Sequence, residues 1–194
     1  MSKKKRPIQK VQSDFSTYND LLQGDKSTSG GDIRILDVRA NNSTYYSHEM
    51  PLAHSTQPYV MKLVTEVRVD NHKDFKFKIF APSFIGQPLI NYDSDGPSHD
   101  NSPGKKLTSR AIETPHFNCY DSFGRRIAYK TSALQDPIQC KSFEDPSICI
   151  IHFYSECKIK HTPAGFPTVL IRPDLLPLPV QTSEDPNEYA SYFD

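Results

Sequence analysis

The stretch that decides the fold is Tyr59-Val60-Met61-Lys62-Leu63-Val64-Thr65-Glu66-Val67-Arg68-Val69. Its odd positions are apolar apart from a threonine, and its charged residues stand only at even positions. A period of two predicts a β-strand with one face in the core and the other mostly in water. After the polar residues 70–74, the alternation resumes with Phe75, Phe77 and Ile79 against two lysines. Two alternating runs joined by a short polar loop predict a β-hairpin.

The segment 148–160 contains the second strong alternation in the chain. Its odd positions place Cys149, Ile151 and Phe153 on one side, and its even positions change from apolar to charged along the run. This pattern predicts a strand over 148–160 that shares a core with the strand at 59–69.

Shorter apolar runs predict further strands, at 33–39, 85–92, 107–112, 116–120, 126–132 and 168–171. Pro88 favours an edge position for the second of these, because proline cannot donate to a strand ladder. Asp121-Ser122-Phe123-Gly124 has the composition of a hairpin turn. Polar or turn-rich composition predicts loops at 41–58, 93–106 and 136–146.

Many short strands, abundant turns and little helix are typical of an all-β fold. We predict a β-sandwich over residues 32–172, with an open β-barrel as the alternative. A chain of 194 residues allows one such domain with tails.

Charge is unevenly distributed along the chain, although 23 basic and 23 acidic side chains cancel. The first ten residues carry basic side chains only, and the last thirteen carry acidic ones only. Zero net charge argues against the chain as a whole binding a polyanion. We predict a flexible basic arm over residues 1–31, and an extended segment over 173–194 that is proline-rich and then acidic.

The arm holds two predicted contact sites. A basic cluster on a mobile terminus can contact nucleic acid, an anionic membrane or an import receptor, or can serve solubility alone. The predicted nucleic-acid or membrane contacts are Lys3, Lys4, Lys5, Arg6 and Lys10. Tyr18 and Leu21 match the Y-x-x-L pattern that trafficking adaptors hold in two pockets, which makes them predicted partner-binding residues.

The C-terminal segment is apolar and stiffened by proline, so it predicts extended backbone close to polyproline geometry. Such a segment either packs along its own domain or binds in the groove of a partner. The predicted partner-binding residues are Pro173, Leu175, Leu176, Pro177, Leu178 and Pro179.

One loop resembles a calcium site. Asn91, Asp93, Asp95 and Gly96 fit the first positions of a calcium-binding loop, but the closing position is Ser102, where glutamate is needed. We predict no calcium there.

Two pairs, Cys149 with His152 and Cys157 with His161, have spacings that resemble zinc sites. Residues three apart in a strand point to opposite faces, and the turn-borne pair typical of structural zinc is missing. We therefore predict no metal and no cofactor.

Catalytic signatures are missing from the sequence. It contains no G-x-S-x-G, no H-E-x-x-H and no P-loop, so we predict that the chain is not an enzyme. A cysteine hydrolase with Cys119 or Cys157 as its nucleophile is the third hypothesis for the function.

The basic N-terminus is not followed by an apolar run, and no stretch is apolar enough to cross a membrane. We expect a cytoplasmic or nuclear protein with free thiols. The leading hypothesis is a non-enzymatic structural or scaffolding protein that forms homo-oligomers, most concretely a matrix-type or small coat-type virion protein. The alternative is an adaptor that binds a protein partner through a sheet edge or through residues 173–194.

Overall fold

Strands dominate the computed structural model, which describes residues 6–29, 31–35, 37–39, 42–101, 111–161 and 165–171. The strands are β1 Lys26–Thr28, β2 Ile33–Ile35, β3 Asp37–Arg39, β4 Asn42–His54, β5 Met61–Arg68, β6 Phe75–Ala81, β7 Ile85–Asp93, β8 His99–Asp100, β9 Ala111–Ile112, β10 His116–Tyr120, β11 Arg126–Tyr129, β12 Ile159–Lys160 and β13 Val169–Ile171. The helices are α1 Gln9–Ser13, α2 Phe15–Gln23, α3 Ser132–Gln135, α4 Pro137–Ser142 and α5 Pro146–Glu156.

One nine-stranded sheet organises these elements, in the order β11-β10-β7-β6-β5-β4-β1-β12 with β3 also paired to β4. Neighbouring strands are antiparallel except β1 and β12, which are parallel. Two smaller sheets pair β13 with β2 and β8 with β9. None of the helices within the described residues is long and apolar enough to cross a membrane.

The hairpin predicted around residues 59–79 is confirmed. Strands β5 and β6 pair in a register that sets Leu63 opposite Ile79 and Val67 opposite Phe75. All four side chains are buried, as the alternation requires. The strand at 116–120 and the turn that leads from it into β11 are also confirmed.

The segment 148–160 is mainly a helix, so the strand predicted there is wrong. Asp145 caps α5 by accepting a hydrogen bond from the Ser147 N–H at 2.7 Å, and Pro146 occupies the first turn, where no backbone donor is needed. The buried positions are Cys149, Ile150, Phe153, Tyr154 and Cys157, which follow the spacing of a helix face.

Helix α5 lies against the inner face of the sheet and forms the second layer. The Phe153 ring is 5.3 Å from the Phe77 ring and 6.0 Å from the Phe117 ring. Strand β2 extends this layer with two fully buried isoleucines, Ile33 and Ile35, and contacts β4 and β5. The mostly β character is thus confirmed. Within the described residues, the large sheet packs against helices and the small β2–β13 sheet rather than against a second large sheet.

Residues 6–29 are folded onto the domain, so the flexible arm predicted over 1–31 is wrong for this part. Tyr18 and Leu21, predicted as partner-binding residues, are 1% and 0% exposed. The Tyr18 hydroxyl donates to the Leu89 carbonyl at 2.8 Å and accepts from the Tyr120 N–H at 2.8 Å. Both side chains therefore serve the core and are not available to a trafficking adaptor.

Among the predicted basic contacts, Arg6 and Lys10 are described and exposed, and Lys10 pairs with Asp14 at 2.9 Å. Lys3, Lys4 and Lys5 lie outside the described residues, as do Pro173, Leu175, Leu176, Pro177, Leu178 and Pro179.

A buried lysine joins the two main helices. The Lys26 ammonium donates to the carbonyls of Leu22, Gly24 and Cys157 at 2.7, 2.8 and 2.9 Å. These carbonyls lie at the ends of α2 and α5, where helices leave acceptors unsatisfied. The Lys26 ammonium therefore caps the C-terminal ends of both helices and holds α2 beside α5.

Three further predictions about loops and edges need correction. Residues 42–54, predicted as loop, form the long strand β4. Strand β7, predicted at an edge, lies between β6 and β10; Pro88 is tolerated because the β6–β7 register shifts where Ala81 pairs with Ile85. The predicted loop at 136–146 contains the short helix α4.

Candidate binding groove on the outer sheet face

The face of the sheet opposite α5 is polar, and we call it the outer face. The pairing registers place Glu66, Lys76, Asp93 and His116 in one row across β5, β6, β7 and β10. The next row contains Val64, Lys78, Asn91 and Asn118. Alternation along each strand thus gathers polar side chains from four strands on one surface.

Several of these polar side chains are nearly inaccessible. Glu66 is 3% exposed, Asn91 4%, His116 3% and Asn118 2%. The outer face forms the floor of a groove of about 760 Å³, which residues 86–88 and 95–99 also line. Burying polar groups lowers stability unless hydrogen bonds compensate, so the hydrogen-bond partners of these side chains decide whether the floor serves the fold or a ligand.

Asp93 is the centre of a hydrogen-bonded cluster on the groove floor, and we call this cluster the hub. Its Oδ2 atom accepts hydrogen bonds from the side-chain amides of Asn91 at 2.7 Å and Asn118 at 2.8 Å. The same oxygen lies 3.8 Å from Arg126 and 3.9 Å from His116. Arg126 also donates to Asn91 Oδ1 at 2.8 Å, which fixes the plane of that amide. The hub is therefore held by side chains from three strands, β7, β10 and β11.

Beside the hub, cations and acids are paired. Lys78 donates to Glu66 at 2.5 Å, and both side chains are largely buried. Lys76 donates to the Tyr45 hydroxyl at 3.2 Å and lies over its ring, and that hydroxyl donates to Asp74 at 3.0 Å. The groove consequently carries many charges but little net charge.

Two acceptors at the groove are buried without a donor. Asn118 Oδ1 and Asp74 Oδ1 are buried and have no hydrogen-bond partner among the described residues. The hydrogen bonds that Asp93 accepts all reach Oδ2, which leaves Oδ1 without a donor in the same part of the chain. Buried unsatisfied acceptors are rare in folded proteins, and two of them at one groove suggest a place for a ligand.

Protonation of the groove residues follows from their surroundings. Burial lowers the pKa of His116, so the imidazole is neutral at neutral pH. Burial alone would lower the pKa of Lys76, but the hydrogen bond to Tyr45 and the nearby Asp93 and Asp74 outweigh it and raise the pKa. Lys76 is therefore a permanent cation, balanced by the carboxylates around it.

The groove borders a sheet edge that is already closed. The side-chain amide of Asn101 pairs with the backbone of β11 as a neighbouring strand would. It donates to the Ala128 carbonyl at 2.7 Å and accepts from the Ala128 N–H at 2.8 Å. His99 lies 3.1 Å from the Arg126 carbonyl. The outward groups of β11 are thus occupied, which disfavours addition of a partner strand at this edge.

The cysteines proposed as nucleophiles are poorly suited to that role. Burial raises the pKa of the Cys119 thiol to about 12, and Cys157 is 2% exposed, with a pKa that burial also raises. The thiolate is the reactive form, and the raised pKa values keep both groups mainly as protonated thiols near neutral pH. Whether the chain is an enzyme of another kind stays a prediction.

The residues of the predicted metal patterns have other partners. Asn91 and Asp93 belong to the hydrogen-bonded hub. His152 stacks on Phe143 at 4.7 Å, while Cys149 is buried in the core. Because α5 is a helix, the strand-face argument used for this pair does not apply. No group of three or more candidate metal ligands occurs within the described part of the chain.

Sequence reasoning assigned Lys62, Glu66, Lys76 and Lys78 to a solvated face and missed the groove. The available signal was the recurrence of charged or amide side chains at alternate positions of β5, β6, β7 and β10. No family model, curated protein or solved structure matches the chain in comparisons with known proteins.

Proposed function

We propose that the protein is a non-enzymatic binding protein whose ligand occupies the groove on the outer face. The observation that carries this proposal is the Asn118 side chain. Its Nδ2 is fixed by Asp93, and its Oδ1 is buried without a donor among the described residues.

The energetics favour a functional reason for such a floor. Each buried polar group without a partner costs roughly 1–3 kcal/mol. A domain is stable by only about 5–15 kcal/mol, so several such groups are a substantial burden. A ligand that supplies the missing donors removes the cost, and the paired side chains of the hub hold the acceptors in position for it.

The experiment compares two matched substitutions. Asn118→Leu removes the acceptor at the groove floor, whereas Asn19→Leu changes an exposed asparagine on α2, outside the groove. The side-chain amide NMR signals of Asn91 and Asn118 are followed while neutral oligosaccharides, single-stranded RNA and short peptides are added in turn.

We expect one ligand class to shift these signals in the wild type and in Asn19→Leu. The Asn118→Leu protein should lose the response at Asn91. Unchanged signals with all three classes would contradict the proposal.

Self-association is the second candidate function, and it keeps the hypothesis of a structural or scaffolding protein, including a matrix-type or coat-type virion component. Ile148 and Ile151 of α5 are 44% and 41% exposed and lie on one helix face. Leu170 of the adjoining β13 is also exposed. Exposed apolar side chains on neighbouring elements favour an interface with a second copy.

Sedimentation velocity tests this second candidate. The wild-type chain should sediment as an oligomer, and Ile148→Ser with Ile151→Ser should return it to a monomer. A monomeric wild type at high concentration would exclude it. The roles predicted for the N-terminal lysines and for residues 173–179 stay predictions.

A further inference from the structure

The unmet hydrogen-bonding needs of the groove restrict the chemistry of its ligand. Asn118 Oδ1, Asp74 Oδ1 and Asp93 Oδ1 are acceptors, and the described residues supply none of them with a donor. A ligand that fits must donate hydrogen bonds. Phosphates and carboxylates only accept when ionised, so they leave all three oxygens unsatisfied.

The charges of the groove argue against an ionic ligand of either sign. Lys78 is paired with Glu66, Arg126 with Asp93, and Arg68 lies 3.6 Å from Asp74. A polyanion would have to displace these acids from their cations, and a polycation would meet the same cations at close range. The electrostatics therefore favour a neutral ligand.

The location of the groove narrows the choice between neutral donors. A peptide main chain pairs most readily along a strand edge, whereas this groove lies on a sheet face, and the adjoining edge is closed by Asn101. Hydroxyl groups both donate and accept, so they can meet the free acceptors and also the amide and guanidinium donors beside them. Tyr45 and Phe80 add aromatic surface at the groove, which suits the apolar face of a sugar ring.

We infer that the groove binds an uncharged, hydroxyl-rich ligand, a neutral carbohydrate chain, with Asn118, Asp93 and Asp74 accepting its hydroxyl hydrogen bonds. This inference rests on the proposed binding function. The volume of about 760 Å³ lies within the range of small-ligand sites, so the groove holds a short segment of such a chain.

The test uses the full chain and a panel of neutral oligosaccharides: maltohexaose, cellohexaose, xylohexaose and chitohexaose. Affinity is measured by calorimetry at low and at higher salt. Binding should change little with salt, because no counterions are released. A polyanion with six to ten phosphate contacts loses about 10³–10⁵ in affinity between 50 and 200 mM salt.

Two variants locate the site without relying on one fold-sensitive substitution. Asn118→Leu should weaken binding about tenfold or more, while Asn19→Leu should not change it. Gly86 lies at the groove, and a Cβ atom added there would meet no atom within 4 Å. Gly86→Phe should therefore fold normally and obstruct the groove, again lowering the affinity.

The outcomes separate the two proposals. If a single-stranded RNA or an acidic polymer binds instead, with steep salt dependence and loss in Gly86→Phe, the groove is a binding site and the carbohydrate inference is overturned. If a peptide binds there, the inference also fails while the binding function stands. If oligosaccharides, RNA and peptides all fail to bind, both proposals are overturned. Oligosaccharide binding that Gly86→Phe and Asn118→Leu leave unchanged places the site elsewhere and overturns both as well.

Discussion

Replacing two adjacent isoleucines by alanine separates the helical structure of residues 146–156 from the strand that alternation predicts. Ile150 is fully buried, whereas Ile151 is 41% exposed. In a strand of the predicted register, the odd face that includes Ile151 would be the core face. The two substitutions remove the same atoms, so the difference in their effects reports which side chain enters the core.

The expected magnitudes follow from burial. Ile150→Ala removes a buried side chain and leaves a cavity, which typically costs about 2–5 kcal/mol. Ile151→Ala loses only partial burial, and alanine regains a few tenths of a kcal/mol through its higher helix propensity. We therefore expect a cost below about 1 kcal/mol for Ile151→Ala, and a difference between the variants of at least about 1 kcal/mol.

Urea unfolding followed by far-ultraviolet circular dichroism measures both values, and the chain contains no tryptophan that could serve as a fluorescence probe. The slope of the free energy against urea should be the same for both variants, so the midpoints can be compared directly. Equal costs, or a larger cost for Ile151→Ala, would refute the helical placement of this segment.

Three further predictions concern the buried polar groups and thiols. Lys26→Met should lower the free energy of unfolding by roughly 2–4 kcal/mol, because three carbonyls lose their donor; a loss below about 0.5 kcal/mol would contradict the bridging role. Asn101→Ala should speed hydrogen exchange of the Ala128 amide by about tenfold, and unchanged protection would show that the side chain does not close the edge. Burial raises the pKa of Cys149 and of Tyr154 to about 12, above the 9.0 and 10.0 of the unfolded chain. The contribution of these two groups to stability should therefore be full below pH 9.0 and fall as the pH rises toward about 12. Burial lowers the pKa of Lys26 from 10.5 to about 8, so this group opposes the trend between those two pH values. A flat or rising urea midpoint from about pH 9 to about pH 11 would show that the thiol and phenol groups do not dominate the pH dependence of stability.

The parts of the fold that could be predicted are those with a local cause. The β5–β6 hairpin follows from alternation in two adjacent runs and a polar turn between them. The β10–β11 turn is equally local, since Gly124 adopts a φ of +68° that favours glycine, and its N–H bonds to the Asp121 carbonyl at 2.9 Å. Neither requires knowledge of distant residues.

The helix α5 could not be separated from a strand by periodicity. Apolar residues occupy almost every position from Ile148 to Tyr154, so both the strand and the helix pattern find enough matches. The distinguishing signal was the Asp145-Pro146 pair, which caps a helix and begins its first turn. Attention to caps would have corrected this prediction from the sequence alone.

The N-terminal helices and the groove depend on non-local contacts. Helix α2 is short and weakly apolar, and it is ordered because Tyr18 bonds to Leu89 and Tyr120, far away in the chain. The polar face becomes a groove because residues 95–99 line it beside strands that alternation alone would leave in water. No local pattern contains that information.

The stability of Asn118→Leu tests most directly whether the outer face is maintained for binding. Leucine has a similar size, removes the unpaired Oδ1 and gives up one hydrogen bond to Asp93. If the polar floor serves a ligand, the unfolding free energy in urea should stay within about 1 kcal/mol of the wild-type value or rise. A loss of about 3 kcal/mol or more would show that the floor holds the fold together, and would contradict the account.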